Sequence, residues 1–156
     1  MNTLVTKHKV LAAGKTKKLI SGFVYYVLAL ILLFTGITKI MDPLPLINTL
    51  KLIQFLEENL VVLIATLLPL LEMGLGLLMV LKVKPKITLS AVTILFAAFF
   101  LFSIYGTIAG LEGDCGCYGS AVKSEFGIKM IIRNFILVIL SLYISFDKII
   151  LARKNK

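Results

Sequence analysis

The sequence has few of the cysteine and histidine residues that bind metal ions. Its 156 residues include two cysteines, Cys115 and Cys117, and one histidine, His8. A structural zinc ion usually takes four cysteine or histidine ligands, with paired cysteines about two to four residues apart. Here a single residue separates the cysteines, and the topology argued below places His8 on the opposite side of a membrane. We expect no metal site within one chain, which leaves a metal shared with a partner or a second copy as the open alternative.

Charged residues are also scarce. Only 16% of the residues are charged, whereas 59% are hydrophobic and the mean hydropathy is +1.00. A soluble domain of this length has too little interior to bury so much apolar surface. We therefore expect a single domain whose main solvent is the lipid bilayer.

Acidic residues are fewer than basic ones. There are 8 Asp and Glu residues against 17 Lys and Arg, for a formal net charge of +9. Nucleic-acid binding needs these charges on one face, but here they cluster between apolar runs. This distribution argues against nucleic acid and favours attraction to the anionic inner leaflet of a membrane.

Four long apolar runs dominate the chain. Each has about 20 residues, enough to cross a hydrocarbon core of ~30 Å as a helix. The sequence predicts an all-α, integral membrane four-helix bundle over residues 19–151, between a basic segment at 1–18 and a basic tail at 152–156. The first run is longer than the apolar part of a signal peptide and lacks a small-residue cleavage site, so an uncleaved span is expected. The predicted spans are residues 19–38, 60–81, 87–111 and 127–146.

Basic residues mark alternate sides of the predicted bundle. They precede the first span, separate the second from the third and follow the fourth, while the other two connections are much less basic. An excess of Lys and Arg marks the cytoplasmic side. We expect a multi-pass protein of a bacterial inner membrane, with both termini cytoplasmic and the cysteine loop periplasmic. The basic residues on the predicted cytoplasmic side are Lys7, Lys9, Lys15, Lys17, Lys18, Lys82, Lys84, Lys86, Lys148, Arg153, Lys154 and Lys156.

The first outer loop has a helical pattern of its own. Pro43 and Pro45 end the first helix, because a proline disfavours helix for the residue before it. Apolar residues then recur near a helical period over residues 46–56. The segment is either a short amphipathic helix in the membrane interface or an ordinary connecting loop.

The two cysteines lie in a glycine-rich segment. Gly113, Gly116 and Gly119 surround Cys115 and Cys117, and glycine allows turn conformations closed to other residues. Cysteines at this spacing can lie within about 7 Å at Cα, so a disulfide is feasible but strained. Strain makes a disulfide easier to reduce, and an outer compartment lets one persist. The pattern favours an exchangeable redox pair.

An inert pair is the main alternative, because a bridge across so short a loop stabilises only weakly. If the pair is reactive, Cys117 is the better candidate nucleophile. Asp114 disfavours a thiolate at Cys115, whereas Cys117 lies nearer to Lys123 and to the start of the fourth span. The residues expected to shape the loop are Asp114, Gly116, Tyr118 and Gly119.

Two ionisable residues lie deep within the spans. Glu72 is near the middle of the second span and Arg133 is about two turns into the fourth. Buried charges are costly unless paired, so we expect a Glu72–Arg133 pair, with Asn134 or water completing it and Lys39 joining from the first span. This polar pocket would hold a quinone head group or relay protons, or it is an ion pair that joins helices.

Several of these motifs together resemble the DoxX-like membrane proteins, in the branch of the methylamine-utilisation protein MauE, over roughly residues 19–146. The Cys-Gly-Cys-aromatic-Gly motif is the most specific, and Tyr118 stands where the family often has phenylalanine. The matching segments are residues 34–39 with Asp42-Pro43, residues 69–72 with Gly76, residues 114–119, and Arg133-Asn134.

The resemblance implies a membrane bundle linked to periplasmic redox chemistry, often beside a thioredoxin-like partner, and in the wider group to quinones. The first hypothesis is a thiol–disulfide oxidoreductase in which Cys115 and Cys117 exchange with an exported partner and a quinone is a candidate cofactor. With no second cysteine pair in the chain, a partner must supply one. The second hypothesis is a non-catalytic anchor or assembly subunit of a redox complex. The third is a small transporter using the Glu72–Arg133 interior, which would require an oligomer.

Overall fold

The computed structural model describes residues 2–53, 56–111 and 126–154. The predicted redox pair, Cys115 and Cys117, lies outside the described residues, as do Asp114, Gly116, Tyr118 and Gly119. The described part of the chain is all-α and contains no strand. Its helices are α1 (Asn2–Met41), α2 (Leu44–Lys51), α3 (Glu58–Val80), α4 (Pro85–Ile108) and α5 (Ile128–Lys154).

Four segments of the described helices are long and apolar enough to cross a membrane. This confirms the four-span bundle, with ends that shift by only a few residues from those predicted. The basic segment predicted before the first span is part of the same continuous helix, α1. The membrane-length segments are Leu19–Met41, Glu58–Val80, Pro85–Ile108 and Ile128–Phe146.

The third span ends earlier than hydropathy predicts. The apolar run continues to Leu111, but α4 stops at Ile108. Gly110 has a φ of +63°, a left-handed conformation that glycine adopts without steric cost. Its N–H donates to the carbonyl of Thr107 at 3.4 Å, and the N–H of Leu111 donates to that of Gly106 at 3.0 Å. This pair of bonds is the Schellman motif, which closes a helix while satisfying its last carbonyls.

Small residues bring α1 and α3 close together. A Cβ atom on Gly36 would lie 2.6 Å from Met73 Cγ and 3.0 Å from the carbonyl oxygen of Pro69, and one on Gly76 would lie 2.9 Å from Leu33 Cγ. Small side chains at a helix interface let two backbones approach closely, which is the usual basis of helix packing in lipid. The C-terminal end of α1 is therefore held against the middle of α3.

The helix pairs α1–α3 and α4–α5 make the most extensive contacts among the described elements, and α1 also touches α5. Their shared core is apolar, and the buried hydroxyl of Tyr25 donates to the carbonyl of Met79 at 2.9 Å. Fewer than half of the residues in each membrane-length segment are buried within the bundle, as expected for helices whose outer faces contact lipid. The core includes Tyr25, Leu28, Leu32, Met79, Val92, Phe96 and Ile144.

The connection between the first two spans contains a helix, α2, so the helical interpretation of that segment is confirmed. It begins just after Pro43, with Pro45 in its first turn, where a missing N–H costs no hydrogen bond. Leu46 and Leu50 are buried and pack with Val61 and Ala65 of α3. Its apolar face therefore covers the bundle, at the end where α1 stops and α3 begins.

Candidate functional site

An ion pair joins the end of one helix to the middle of another inside the bundle. Lys39, near the end of α1, places its Nζ 2.5 Å from Oε1 of Glu72 in α3. The side chains are only 1% and 0% exposed, respectively. Burying either charge alone would cost several kcal/mol in a low-dielectric interior. Each residue therefore requires the other in order to remain charged within the bundle.

The partner of Glu72 differs from the one expected. The expected Glu72–Arg133 pair is not formed, because Lys39 occupies that position. Lys39 lies one turn after Gly36, whose close approach to α3 brings this end of α1 beside Glu72. Arg133, by contrast, is on α5, whose main contacts are with α4 and α1.

Arg133 nevertheless belongs to the same region. It is half-buried and lies near enough to Lys39 for the two positive charges to repel each other. Among the described residues, the region thus combines the carboxylate of Glu72 with the cations of Lys39 and Arg133.

Asn134 and Phe99 complete the surroundings of the pair. Asn134 is buried, and its Nδ2 donates to the carbonyl oxygen of Phe99 at 3.4 Å. The ring of Phe99 faces the ammonium of Lys39, 4.8 Å from Nζ to the ring centroid, in a cation–π contact. Phe99 thus contacts both polar side chains, one with its ring and the other with its backbone.

A cavity of about 20 Å³ lies beside the carboxylate. Glu72, Thr35, Asn134 and Phe99 are among the residues that line it. A space of this size holds about one water molecule. Within the part of the chain that the structure describes, Oε2 of Glu72 is buried and has no hydrogen-bond partner. One water molecule in this space would be able to donate a hydrogen bond to that oxygen.

The structure therefore brings together the four residues predicted to form the intramembrane pocket, Glu72, Arg133, Lys39 and Asn134. Sequence reasoning missed Phe99, which lies in the aromatic-rich run from Phe96 to Phe102. Hydrophobicity alone does not distinguish the phenylalanine that faces the interior from those that face lipid. Ser103, which is buried one turn later, is the polar residue in this part of α4 that indicates the inward face.

The start of α5 is positioned by aromatic packing. Phe126, the first residue described after the cysteine segment, packs its ring on Phe102 with centroids 5.7 Å apart. Its ring also occupies the space that any side chain on Gly106 would need. Phe126 is thus held against α4 just before α5 begins.

Comparison with known proteins gives one family match. The model of the family described as methylamine utilisation protein MauE matches residues 17–147. This range includes the four membrane-length segments, both cysteines and the polar pocket. No match was found among curated proteins or among solved structures. The match confirms the MauE part of the resemblance, and the wider DoxX-like grouping stays a prediction.

Proposed function

Because the chain belongs to the MauE family of methylamine utilisation proteins, we propose that it is a membrane redox protein that exchanges thiols and disulfides with an exported partner. The observation that carries this proposal is the Cys115-Gly116-Cys117 spacing in a glycine-rich connection between two membrane helices. In this proposal the protein lies in a bacterial inner membrane with both termini cytoplasmic, so that the pair faces the periplasm. A disulfide can form and persist there.

The exchange proceeds by two attacks on sulfur. The thiolate of Cys117 attacks one sulfur of the partner's disulfide, which breaks that S–S bond, forms a mixed disulfide and releases one partner thiolate. The thiolate of Cys115 then attacks the sulfur of Cys117, closes the Cys115–Cys117 disulfide and releases the second partner thiolate. The loop pair loses two electrons and two protons, and the partner gains them. The reverse sequence oxidises the partner.

The partner must contain its own cysteine pair, because the chain has only two cysteines. An exported dithiol protein, or one with a thioredoxin-like fold, has the required chemistry. Returning the loop pair to its starting state takes two electrons and two protons, which a membrane quinone or a second thiol protein exchanges. The protein is therefore one component of a system with at least one partner.

Trapping of the mixed disulfide tests this proposal in intact cells. With Cys115→Ser the second attack is lost, so acid quenching and alkylation should capture an exported partner on Cys117. The matched Cys117→Ser variant should capture less, because the attacking thiolate is absent. The Cys115→Ser/Cys117→Ser variant should capture nothing. If that double variant supports normal maturation of the exported partner, exchange is not the function and a non-catalytic anchor fits better.

A further inference from the structure

A second, larger cavity lies beneath α2. Its volume is about 170 Å³, and it sits at the end of the bundle from which α4 leads to the cysteines. Leu46 and Leu50 of α2 cover it, Leu68 of α3 forms one wall, and Phe99 and Phe102 of α4 form another. The walls are thus almost entirely apolar.

The size of this cavity suits a single ring. An apolar cavity of about 150 Å³ engineered into another protein stays dry and binds benzene. A six-membered ring with small substituents is therefore the largest rigid body expected to fit. Ala98 lines the cavity and is itself exposed on the bundle surface. A molecule dissolved in the bilayer can thus reach the cavity from the lipid side.

One charged side chain interrupts the apolar lining. Lys39 lines the cavity and is 1% exposed. An ammonium has three N–H donors; Glu72 accepts from one at 2.5 Å, and the ring of Phe99 faces Nζ at 4.8 Å. Among the described residues no second acceptor is bonded to Nζ, so a donor remains for a bound molecule.

The chemistry of the occupant follows from these contacts. Glu72 already balances the charge of Lys39, so the occupant needs to bring an acceptor oxygen rather than a full negative charge. A lipid acyl chain would fill the space but leave the ammonium donor unused, which is costly in an apolar site. We propose that this cavity binds the head group of a membrane quinone, with one ring carbonyl accepting a hydrogen bond from Nζ of Lys39.

This site deepens the proposed function, and its use as an electron acceptor or donor rests on that function. Binding of the ring does not depend on the cysteines. The ring of Phe102 lines the cavity and also packs on Phe126, just before α5 begins.

Two probes with the same carbon skeleton test the proposal. Tetramethyl-1,4-benzoquinone has ring carbonyls, and 1,2,4,5-tetramethylbenzene has none. The full chain, reconstituted in quinone-free phosphatidylcholine nanodiscs, should bind the quinone about tenfold or more tightly, because a hydrogen bond to a charged group is worth at least that factor. Equal affinity for the two probes would mean a non-specific apolar space, such as one filled by lipid, and would overturn the proposal.

Substitutions at residues in and beside the cavity test whether the quinone binds there. Leu68→Phe fills the cavity and should lower quinone affinity by about tenfold or more, as expected when a steric clash is introduced into a fitted site. Leu67→Phe is the matched control, since Leu67 is adjacent on α3 and 52% exposed; it should bind normally. Equal effects of the two substitutions would show that the quinone binds elsewhere. Thermal unfolding of both variants establishes that they are folded.

The role of Lys39 needs its own variant. The double substitution Lys39→Met/Glu72→Leu removes both charges together, so neither is left unpaired. It should abolish the preference for the quinone while leaving the affinity for tetramethylbenzene unchanged, an outcome that a merely structural role would not produce. The Cys115→Ala/Cys117→Ala variant should bind the quinone normally, so failure of the exchange proposal and failure of this one are distinguished. A retained preference in the Lys39→Met/Glu72→Leu protein would refute the assigned hydrogen bond.

Discussion

Nζ of Lys39 and Oε1 of Glu72 lie 2.5 Å apart in the interior of the bundle. The pair connects the end of one membrane helix to the middle of another, and each side chain is almost completely buried. Such a pair stabilises little in net terms, because desolvation offsets most of the attraction. Removal of one partner is nevertheless costly, because the other charge is then buried without a counter-ion.

Breaking the pair on one side should strongly destabilise the protein. Glu72→Leu leaves the Lys39 ammonium buried without its counter-ion, and we expect a loss of about 3–5 kcal/mol. The double variant Lys39→Met/Glu72→Leu should lose much less. Reversible unfolding in mixed micelles measures both. The matched control is Glu58→Gln, which removes the surface pair Lys51–Glu58, whose atoms are 4.0 Å apart and whose side chains are 55% and 89% exposed.

Removal of that surface pair should leave stability unchanged within error, because exposed pairs contribute little. If Glu72→Leu is as stable as Glu58→Gln, the buried pair does not connect α1 to α3 in the way described.

The close approach of α1 and α3 should depend on Gly36. Gly36→Ala places a methyl group 2.6 Å from Met73 Cγ, so the helices must separate, at a cost of about 1–3 kcal/mol. Gly74→Ala is the matched control on α3, because nothing lies within 4 Å of the added atom. That substitution should be neutral or stabilising by about 0.5–1 kcal/mol. Unfolding midpoints of the two alanine variants provide the test, and a smaller loss at Gly36 than at Gly74 would contradict the packing.

The contact between Gly106 and Phe126 should determine how the chain is positioned as it enters α5. Gly106→Ala places a methyl group within the space of the Phe126 ring, which must then move away from Phe102. We expect the alkylation rate of the reduced cysteines to change, while the four membrane helices remain folded by circular dichroism. Phe126→Leu should restore the original rate in the Gly106→Ala background, because the smaller side chain makes room. An unaltered rate in the single variant would show that this contact does not position the cysteine segment.

The predicted orientation can be tested by labelling. A membrane-impermeant maleimide added to spheroplasts should label Cys115 and Cys117 from the periplasmic side. In a Cys115→Ala/Cys117→Ala background, Lys86→Cys introduces a thiol at the start of α4, on the side predicted to be cytoplasmic. It should be labelled only after the membrane is opened. The reverse pattern would mean that the topology is inverted and that the cysteines face the reducing side.

The parts of the fold that follow from length and hydropathy can be read from the sequence. The four spans are of this kind, and so is the short helix α2, whose apolar period was visible. The end of α4 was harder to predict from the sequence. The apolar run continues to Leu111, whereas the backbone conformation of Gly110 ends the helix earlier. Hydropathy measures solvent preference and contains no information about φ.

The sequence indicated which polar residues lie in the same region of the bundle, but not how they pair. Depth along each helix identified Glu72 and Arg133, because charges in lipid must be paired. The choice of Lys39 depends on Gly36, through a helix contact that no single-span pattern specifies. The ring of Phe99 beneath Lys39 depends on the rotation of α4 about its axis, which a uniformly apolar helix does not encode.

Phe99 lines both the water-sized cavity beside Glu72 and the ring-sized cavity beneath α2. Its ring contacts Lys39, and its carbonyl accepts from Asn134. A shift of Phe99 on occupation of one space would be transmitted to the other, and such a linkage is reciprocal. Protonation of Glu72 would change the affinity of the larger space for a ring by some factor. Binding of the ring would then change the proton affinity of Glu72 by the same factor. Protonation of Glu72 and binding of a ring in the larger cavity would in this way influence each other.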